Sequence, residues 1–288
     1  MEANKPPSQS SSNIARPAML SRTVRFCINP DGSTAGSNGF SARPAMRGLG
    51  RYYEMTFQLV GIPDPQTGYI IGIQEIDAAA RAVVIPKIAR RCTETPTAEP
   101  ASVLADLWPT ILEAMPRPLA SVCWTLTPTY SVEMAMTKPD TDRTANPNRV
   151  LIRQKFDFAA AHRLHVAGLS DEENRTIFGK CNNPNGHGHN YQVEPAITIP
   201  IEQTDSFDLS KLEALIDAAV VEPFDHKHLN DDTAEFNETA GGVIPSVERI
   251  AMVCFERLTH TFATAMPDAR VEQVTVWETD RTSCTFPA

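Results

Sequence analysis

Apolar and polar positions along the chain predict the same set of elements twice. In each half a strand is followed by an amphipathic helix with apolar residues at roughly helical spacing, over residues 72–84 and again over 208–220. A second predicted helix follows, and each half closes on strands, ASVCWTLTPTYSVEM at 120–134 and VEQVTVWETDRTSCTF at 271–286. The pattern therefore predicts a tandem β-β-α-α-β-β unit, an α+β fold with antiparallel sheets.

A glycine motif supports the repeat. GLGRYYEM at 48–55 aligns with GHGHNYQV at 186–193, so that both pairs of glycines coincide and Tyr53 matches Tyr191. The second helix of each half begins at a matching motif, P-T-A-E and P-S-V-E, in which Thr97 and Ser246 are predicted N-caps.

The polar stretches divide the chain. Residues 1–20 are rich in Ser, Pro and Asn, which predicts a disordered tail. Residues 136–149 are polar, contain two prolines and show no periodicity, which predicts a linker. We therefore expect a first repeat over 21–135 and a second repeat over 150–288.

Composition narrows the possible partners and the location. A formal net charge of −9 disfavours a general role in binding nucleic acid. No stretch approaches the ~20 apolar residues of a membrane span, and the N-terminus lacks the apolar run of a signal peptide. Six widely spaced cysteines without a CxxC pair predict reduced thiols. We expect a cytoplasmic protein that acts on a small molecule.

The two halves differ in their histidines. All seven histidines lie in the second half, and Leu49 and Arg51 stand where His187 and His189 stand. The first half keeps the glycines, the helix start and the apolar pattern. We interpret it as a degenerate repeat that retains the fold without the site.

His187 and His189 predict a metal site. Side chains two residues apart on a strand share one face, so both imidazoles can converge on one ion. A third ligand is available from His162, where the predicted strand in KFDFAAAHRL ends. Three neutral imidazoles with an open fourth position are typical of catalytic Zn²⁺. An isolated HxH pattern, by itself, is more often a polar strand surface.

Cys181 lies six residues before His187, across an NNPNG turn that could fold the thiol back over the metal. It could be a fourth ligand, a thiolate base or nucleophile, or a buried inert cysteine.

Glu278 shares a strand face with Val274 and Val276, so we expect its side chain to project into packed surroundings. A ligand with paired N–H groups would satisfy the hydrogen-bonding capacity of this carboxylate.

Asp225 and His226 place a carboxylate beside an imidazole, which could form a proton relay or a surface pair. His228 is an alternative to His226. His165 and His260 are interpreted as structural or exposed. Glu248, near a helix start, could help to hold a ligand, although acidic residues favour first turns in any case.

The motifs FDFAAAHRL, GKCNNPNGHGHNY, FDHKHLN, P-S-V-E and VWETD, in this order, resemble the 6-pyruvoyl-tetrahydropterin synthase family. The resemblance covers 150–288 and is carried most specifically by the ungapped run FGKCNNPNGHGHNY. The first half resembles the family only in its scaffold. Ser246 replaces the family's usual Thr, and FDHKHLN ends in His-Leu-Asn rather than Asn-Leu-Asp; neither change touches the proposed metal ligands.

The resemblance implies a tunnelling fold (T-fold), in which antiparallel sheets of several units close into a barrel on oligomerisation, with helices on the outer face. It implies a zinc-dependent carbon–oxygen lyase that converts 7,8-dihydroneopterin triphosphate to 6-pyruvoyl-tetrahydropterin with loss of triphosphate. The roles it implies fall on residues of the second half: zinc ligands His162, His187 and His189, base Cys181, relay residues Asp225 and His226, pterin anchor Glu278, and further substrate contacts Ser246 and Glu248.

Two other functions stay open. One is 6-carboxy-tetrahydropterin synthase of the deazapurine (queuosine) pathway, whose members resemble this chain but usually have a shorter spacing between the Cys and the HGH motif. The other is a non-enzymatic zinc- or pterin-binding barrel. The motifs do not define the residues that bind the triphosphate, and Arg163, Lys180 and Lys227 are only candidates for this role.

The tandem repeat also predicts an assembly. Single-unit relatives are expected to close their barrels as hexamers, because open sheet edges invite further pairing. Since each chain carries two units, three chains would supply six, and we expect a homotrimer that forms a pseudo-hexamer.

Overall fold

The structure is a computed structural model that describes residues 16–115, 118–136 and 147–288. Most of the expected tail and linker therefore lies outside the described residues. The predicted tail, 1–20, extends too far, because the first strand begins at Ala18. The predicted linker, 136–149, also extends too far, because the first strand of the second half begins at Arg149.

In its described residues the first half contains four strands and a long helix interrupted by a π-turn, followed by a second helix. Its elements are β1 Ala18–Ile28, β2 Arg51–Gly61, α1 Ile73–Ala79, a π-helical turn Ala80–Val84, α2 Ile85–Glu94, α3 Pro100–Ala114, β3 Leu119–Thr127 and β4 Tyr130–Ala135.

The second half repeats this order with insertions around the histidine motif. Its elements are β5 Arg149–Gln154, β6 Phe156–His162, α4 Asp171–Phe178, β7 His187–Pro200, α5 Leu209–Ile216, a π-helical turn Asp217–Val221, α6 Glu222–Phe224, β8 Lys227–His228, α7 Leu229–Asp232, α8 Val247–Ala265, β9 Arg270–Thr279 and β10 Thr282–Phe286. Short 3-10 turns cover Gly179–Asn182, Ile201–Ser206 and Glu238–Ala240.

All strands belong to one sheet, in the order β1-β2-β3-β4-β5-β7-β9-β10, with β6 continuing β5 along the same edge of β7. Among the strands of the described ranges, every pairing is antiparallel except that of β6 with β8. The predicted α+β class with an antiparallel sheet is confirmed. The two halves are joined directly, because β4 pairs with β5.

The register of the sheet is the same in both halves. Tyr53 lies opposite Phe26, as Tyr191 lies opposite Phe158. The β2–β3 and β7–β9 pairs each contain one irregularity, between Gln58 and Leu59 and at the equivalent step between Ala196 and Ile197. The shared bulge shows that the halves match in three dimensions as well as in motif.

The core lies between the sheet and the helices, and its largest fully buried side chains include Phe26, Phe57, Tyr191, Phe224 and Phe262. Burial of such aromatic surface supplies most of the driving force for joining helices to the sheet. The helices therefore fix the ends of the strands that carry the candidate site.

One predicted helix start is wrong. The helix α3 begins at Pro100, three residues after Thr97, and its N-cap is Glu99. A proline disfavours helical backbone in the preceding residue, which keeps Glu99 extended at ψ 134° and delays the helix. The equivalent prediction for Ser246 is confirmed, since this residue caps α8.

Candidate metal centre and active site

Three histidines converge where β6 ends and β7 begins. His162 lies directly opposite His187 in the strand register, and His189 follows two residues later on the same face. The rings of His187 and His189 are 4.8 Å apart, and each lies within 5.2 Å of the His162 ring. Their possible ligand nitrogens lie within 4.8 Å of one another. In the described part of the chain, no other group of three or more His, Cys, Asp or Glu side chains converges in this way.

The ring of His162 is held by the start of α8. Its Nδ1 lies 2.7 Å from the carbonyl oxygen of Pro245, which can only accept, so Nδ1 carries the proton and Nε2 carries the lone pair. The Tyr191 hydroxyl is 3.3 Å from the same Nδ1. His162 is fully buried. Such a bond from the far nitrogen of an imidazole to a carbonyl is the usual support of a metal ligand.

The donor set fits a tetrahedral zinc ion. The Nε2 atoms of His162 and His187 are 3.1 Å apart, close to the separation of about 3.3 Å for two ligands with bonds of 2.0–2.1 Å. The Nε2 atom of His189 is buried and has no hydrogen-bond partner among the described residues. Burial lowers the pKa of His187 and of His189, which favours the neutral form that binds metal.

Glu278 lies against this group. One carboxylate oxygen is 3.3 Å from Nε2 of His162 and 3.6 Å from Nε2 of His189. The polar contact with His162, followed by the proximity of the other two histidines, lowers the pKa of the carboxyl despite its burial. The side chain is 17% exposed, which agrees with the expected packed surroundings. The glutamate is therefore an ionised acceptor at the edge of the histidine group.

Cys181 lies in the 3-10 turn Gly179–Asn182, whose backbone is tied to the end of β6 by a bond from the Leu164 N–H to the Cys181 carbonyl, at 2.9 Å. Burial and then the charge of Glu278 raise the pKa of its thiol. A thiolate at this position consequently needs a nearby positive charge to stabilise it.

The turn that carries Cys181 depends on Gly186. This glycine has φ +70°, and a Cβ atom there would lie 2.5 Å from Nε2 of His228 and 3.1 Å from the carbonyl oxygen of His162. His228 thus packs beneath the turn, and its Nδ1 is 3.2 Å from Asp231. The structure gives His228 a packing contact rather than a place in the histidine group.

Asp225 and His226 pair with each other at 2.7 Å, on the outer edge of β6. Asp225 also accepts a bond from the Ala159 N–H, which is the main cause of its lowered pKa. The His226 side chain is 84% exposed. Among the described residues, no hydrogen bond joins this pair to the Cys181 thiol, so the structure does not bring the three together in one chain.

The two substrate-binding candidates on α8 are also apart from the histidines. The Ser246 hydroxyl accepts a bond from the Arg249 N–H at 3.4 Å and so acts as the helix cap. Glu248 is exposed. In the described residues neither side chain bonds to His162, His187 or His189. Their proposed contacts with substrate stay predictions.

Sequence reasoning missed the groups that hold the site in place. The Pro245 carbonyl has no side-chain signal, although the P-S-V-E motif marks its position. His165, expected to be structural or exposed, has its Nδ1 3.0 Å from the Asn182 amide oxygen, beside Cys181. The Asn230 side chain accepts from the N–H and donates to the carbonyl of Arg163. Asparagine side chains therefore tie the loops around the site together.

Comparison with known proteins identifies the family. The family model for 6-pyruvoyl tetrahydropterin synthase matches residues 151–288. The 6-pyruvoyl tetrahydrobiopterin synthase of Homo sapiens is 36% identical over 131 residues, which cover 45% of this chain and 85% of that protein. The chain belongs to the 6-pyruvoyl tetrahydropterin synthase family. All the predicted metal ligands and Cys181 lie inside the segment that matches the family model.

Two further relatives are similar over about half of the chain. The structure of the Caenorhabditis elegans 6-pyruvoyl tetrahydropterin synthase is 33% identical and covers 49% of this chain and 96% of its own, with a TM-score of 0.42. The 6-carboxy-5,6,7,8-tetrahydropterin synthase of Haemophilus influenzae is 26% identical and covers 47% of this chain and 96% of its own length. None of the helices in the described ranges has the length and apolarity to cross a membrane.

Proposed function

We propose that the protein is a zinc-dependent lyase that converts 7,8-dihydroneopterin triphosphate to 6-pyruvoyl-tetrahydropterin with loss of triphosphate. The observation that carries this proposal is the convergence of His162, His187 and His189 beside Glu278, in a chain of the 6-pyruvoyl tetrahydropterin synthase family. The first repeat carries no histidine, and we propose that it serves as scaffold.

The three histidines would hold Zn²⁺ through nitrogens whose lone pairs face one another. When bound, the ion supplies a Lewis acid that polarises the oxygens of the substrate side chain and acidifies the adjacent C–H. A positive charge held by these histidines would also offset the rise that burial and Glu278 cause in the pKa of the Cys181 thiol. Cys181 then removes the carbon-bound proton as a thiolate base.

Glu278 is proposed to orient the substrate. Its carboxylate is ionised, mostly buried and close to the histidines. It could therefore accept a bidentate, charge-assisted pair of hydrogen bonds from two N–H groups of a pterin ring. Such an anchor places the side chain of the pterin over the histidine group. Ser246 and Glu248 are proposed as further contacts at the start of α8.

Asp225 and His226 are proposed as the relay that takes the proton onward from Cys181. Their mutual hydrogen bond of 2.7 Å supports a role as a unit, since the carboxylate can orient the imidazole. Because no bond joins them to Cys181 within the described residues, the relay requires a movement of the turn or a second copy of the chain.

The competing function within the fold is 6-carboxy-tetrahydropterin synthesis. The sequence identity of 26% to the Haemophilus influenzae protein supports this function. The identity to the human synthase is higher, at 36%. The long spacing between Cys181 and His187 favours the 6-pyruvoyl product. A purely binding role is disfavoured because the constellation is complete in the second half and lost in the first.

Product identification tests the proposal. Purified protein loaded with one equivalent of Zn²⁺ is incubated with 7,8-dihydroneopterin triphosphate, and the pterin product is identified by mass spectrometry, with Cys181→Ala as the matched control. The proposal predicts the 6-pyruvoyl product from the native chain only. A 6-carboxy product would support the competing enzyme, and bound zinc without any turnover would support the binding role.

A further inference from the structure

Arg163 differs from the other two candidate cations, Lys180 and Lys227, in its surroundings. Both lysines are exposed, whereas Arg163 is half-buried. Its Nε atom is buried and has no hydrogen-bond partner, and within the described residues no carboxylate forms an ion pair with its guanidinium. Burial of a cation without a counter-charge is unfavourable, so this guanidinium is suited to binding an anion.

The backbone of Arg163 is fixed, which leaves its side chain as the part that can move. Its N–H donates to the Asn230 amide oxygen at 2.7 Å, and its carbonyl accepts from the Asn230 amide nitrogen at 3.0 Å. Arg163 directly follows the candidate metal ligand His162, and the Cα atoms of neighbouring residues are about 3.8 Å apart. The guanidinium therefore extends from a fixed point beside the histidine group.

The guanidinium of Arg163 contacts the ring of His165. Its Nη2 is 3.2 Å from Nδ1 of His165, and the same Nδ1 is 3.0 Å from the Asn182 amide oxygen. A guanidinium can only donate, and an amide oxygen can only accept. One ring nitrogen cannot serve both partners, because it accepts from Arg163 with a lone pair and donates to Asn182 with a proton.

The two arrangements correspond to the two tautomers of a neutral imidazole. The Nε2–H tautomer of His165 accepts from Arg163, and the Nδ1–H tautomer donates to Asn182 and releases Arg163. A bond from a charged guanidinium is stronger than one to a neutral amide, so the first tautomer is favoured while Arg163 lies on the ring. An anion that draws Arg163 away favours the second. Nε2 then loses a proton to solvent and Nδ1 gains one, so the charge of His165 does not change.

Asn182 connects this choice of tautomer to the proposed base. It is 8% exposed and directly follows Cys181 in the 3-10 turn Gly179–Asn182. The backbone of that turn is already tied to the segment after His162 by the bond from the Leu164 N–H to the Cys181 carbonyl. A bond from His165 to Asn182 adds a side-chain link at the next residue. The Nδ1–H tautomer therefore holds the turn that carries Cys181 more firmly.

We propose that Arg163 binds the triphosphate of the substrate and that this contact, through His165, fixes the turn that carries Cys181. The identity of the anion rests on the proposed function. A guanidinium suits a phosphate group because its planar N–H groups can form two parallel bonds to it. His165 is a positioning residue that acts through Asn182. A pterin without phosphate groups would leave Arg163 on His165, which makes the arrangement selective for the triphosphate ester.

Inorganic tripolyphosphate tests the binding step without the pterin. The zinc-loaded full chain is titrated by calorimetry, and the zinc-free chain is titrated in parallel because polyphosphates chelate the metal. Arg163→Met should weaken binding about 10- to 150-fold, the effect of losing a charge-assisted contact, and Arg163→Lys should recover part of the affinity. Lys180→Met and Lys227→Met remove the same charge and should have smaller effects. A folded Arg163→Met variant that binds tripolyphosphate as tightly as the native chain would overturn the proposal.

The tautomer of His165 tests the coupling to the turn. In protein labelled with 15N-histidine at about pH 8, where imidazoles are ordinarily neutral, protonated and unprotonated ring nitrogens have well-separated chemical shifts. His165→Gln identifies the resonances of His165. Tripolyphosphate should move the proton from Nε2 to Nδ1 in the native chain, and Arg163→Met should show the Nδ1–H tautomer with or without the anion. Binding through Arg163 that leaves Nδ1 unprotonated would overturn the coupling.

These readouts separate the inference from the proposed function. Turnover to the 6-pyruvoyl product, together with tripolyphosphate binding that does not depend on Arg163, would overturn the inference and leave the proposed function standing. Binding that depends on Arg163 and shifts the His165 tautomer, in a chain that forms no 6-pyruvoyl product, would support the anion site and overturn the proposed function instead.

Discussion

His162 donates its Nδ1–H to the carbonyl oxygen of Pro245 at 2.7 Å, and this bond connects the candidate metal centre to the first residue before a helix cap. Strand β6 supplies the candidate ligand His162, and the backbone at the start of α8 selects the tautomer of its imidazole. A change in α8 should therefore reach the metal even though no side chain of that helix bonds to the three histidines in the described residues.

Ser246→Ala tests this connection. Loss of the cap should lower the free energy of unfolding by about 1 kcal/mol and should also weaken zinc binding, because the Pro245 carbonyl is less firmly placed. Zinc affinity is measured by competition with a chelator. Asp208→Ala is the matched control: Asp208 caps α5 through the Ser210 N–H at 2.9 Å, and its loss should cost stability only. Equal zinc affinities in both variants would contradict the account.

Gly186→Ala should damage the site more than an equivalent change in the first repeat. A side chain at Gly186 combines a strained backbone, worth about 1–3 kcal/mol, with close contacts to His228 and His162. Gly48→Ala is the control, since Gly48 has φ +56° but nothing within 4 Å of an added Cβ. Thermal unfolding and zinc content should both fall further in Gly186→Ala. Equal losses would show that the contacts do not matter.

Glu278→Gln separates an anchor from a metal ligand. If the carboxylate binds pterin N–H groups, the variant should keep its zinc and bind substrate more weakly by about 1.5–3 kcal/mol, roughly 10- to 150-fold. Removal of the negative charge should also lower the pKa of Cys181 and speed its alkylation at fixed pH. Loss of zinc would make Glu278 a ligand, and unchanged affinity in a titration would mean that the pocket is misplaced.

The Arg22–Asp77 pair predicts a pH dependence of stability. Arg22 donates two bonds of 2.8 Å to Asp77 and lowers the pKa of that carboxyl. A depressed pKa in the folded state stabilises the protein above the ordinary carboxyl pKa, near pH 4, and this contribution disappears as the pH falls through the folded value.

Asp77→Asn should therefore lower stability at neutral pH by about 1 kcal/mol and flatten its decline below pH 4. Glu94→Gln, which breaks the exposed pair with Arg90, is the control and should change little. Denaturant unfolding between pH 3 and 7 measures both. A decline as steep in Asp77→Asn as in the native protein would assign the acid sensitivity to other carboxyls.

The strand-borne part of the site was predictable from the sequence, because the two-residue period of a strand places His187 and His189 on one face and Glu278 on the face of Val274 and Val276. The interpretation of His162 as the end of a neighbouring strand was confirmed for the same reason. The backbone carbonyl of Pro245 and the separation of His226 from Cys181 could not be predicted, since neither depends on a local pattern. The pairing of β4 with β5, which joins the repeats, likewise leaves no periodic signal.

The most direct test of the central claim is a single measurement on Cys181→Ala, in which zinc content and triphosphate release from 7,8-dihydroneopterin triphosphate are determined on the same sample. Three histidines that bind the metal beside a thiol base predict about one zinc per chain in both the native protein and the variant, with turnover only in the native protein. Loss of zinc in the variant would make Cys181 a ligand, and full turnover by the zinc-loaded variant would show that the thiol is not the base.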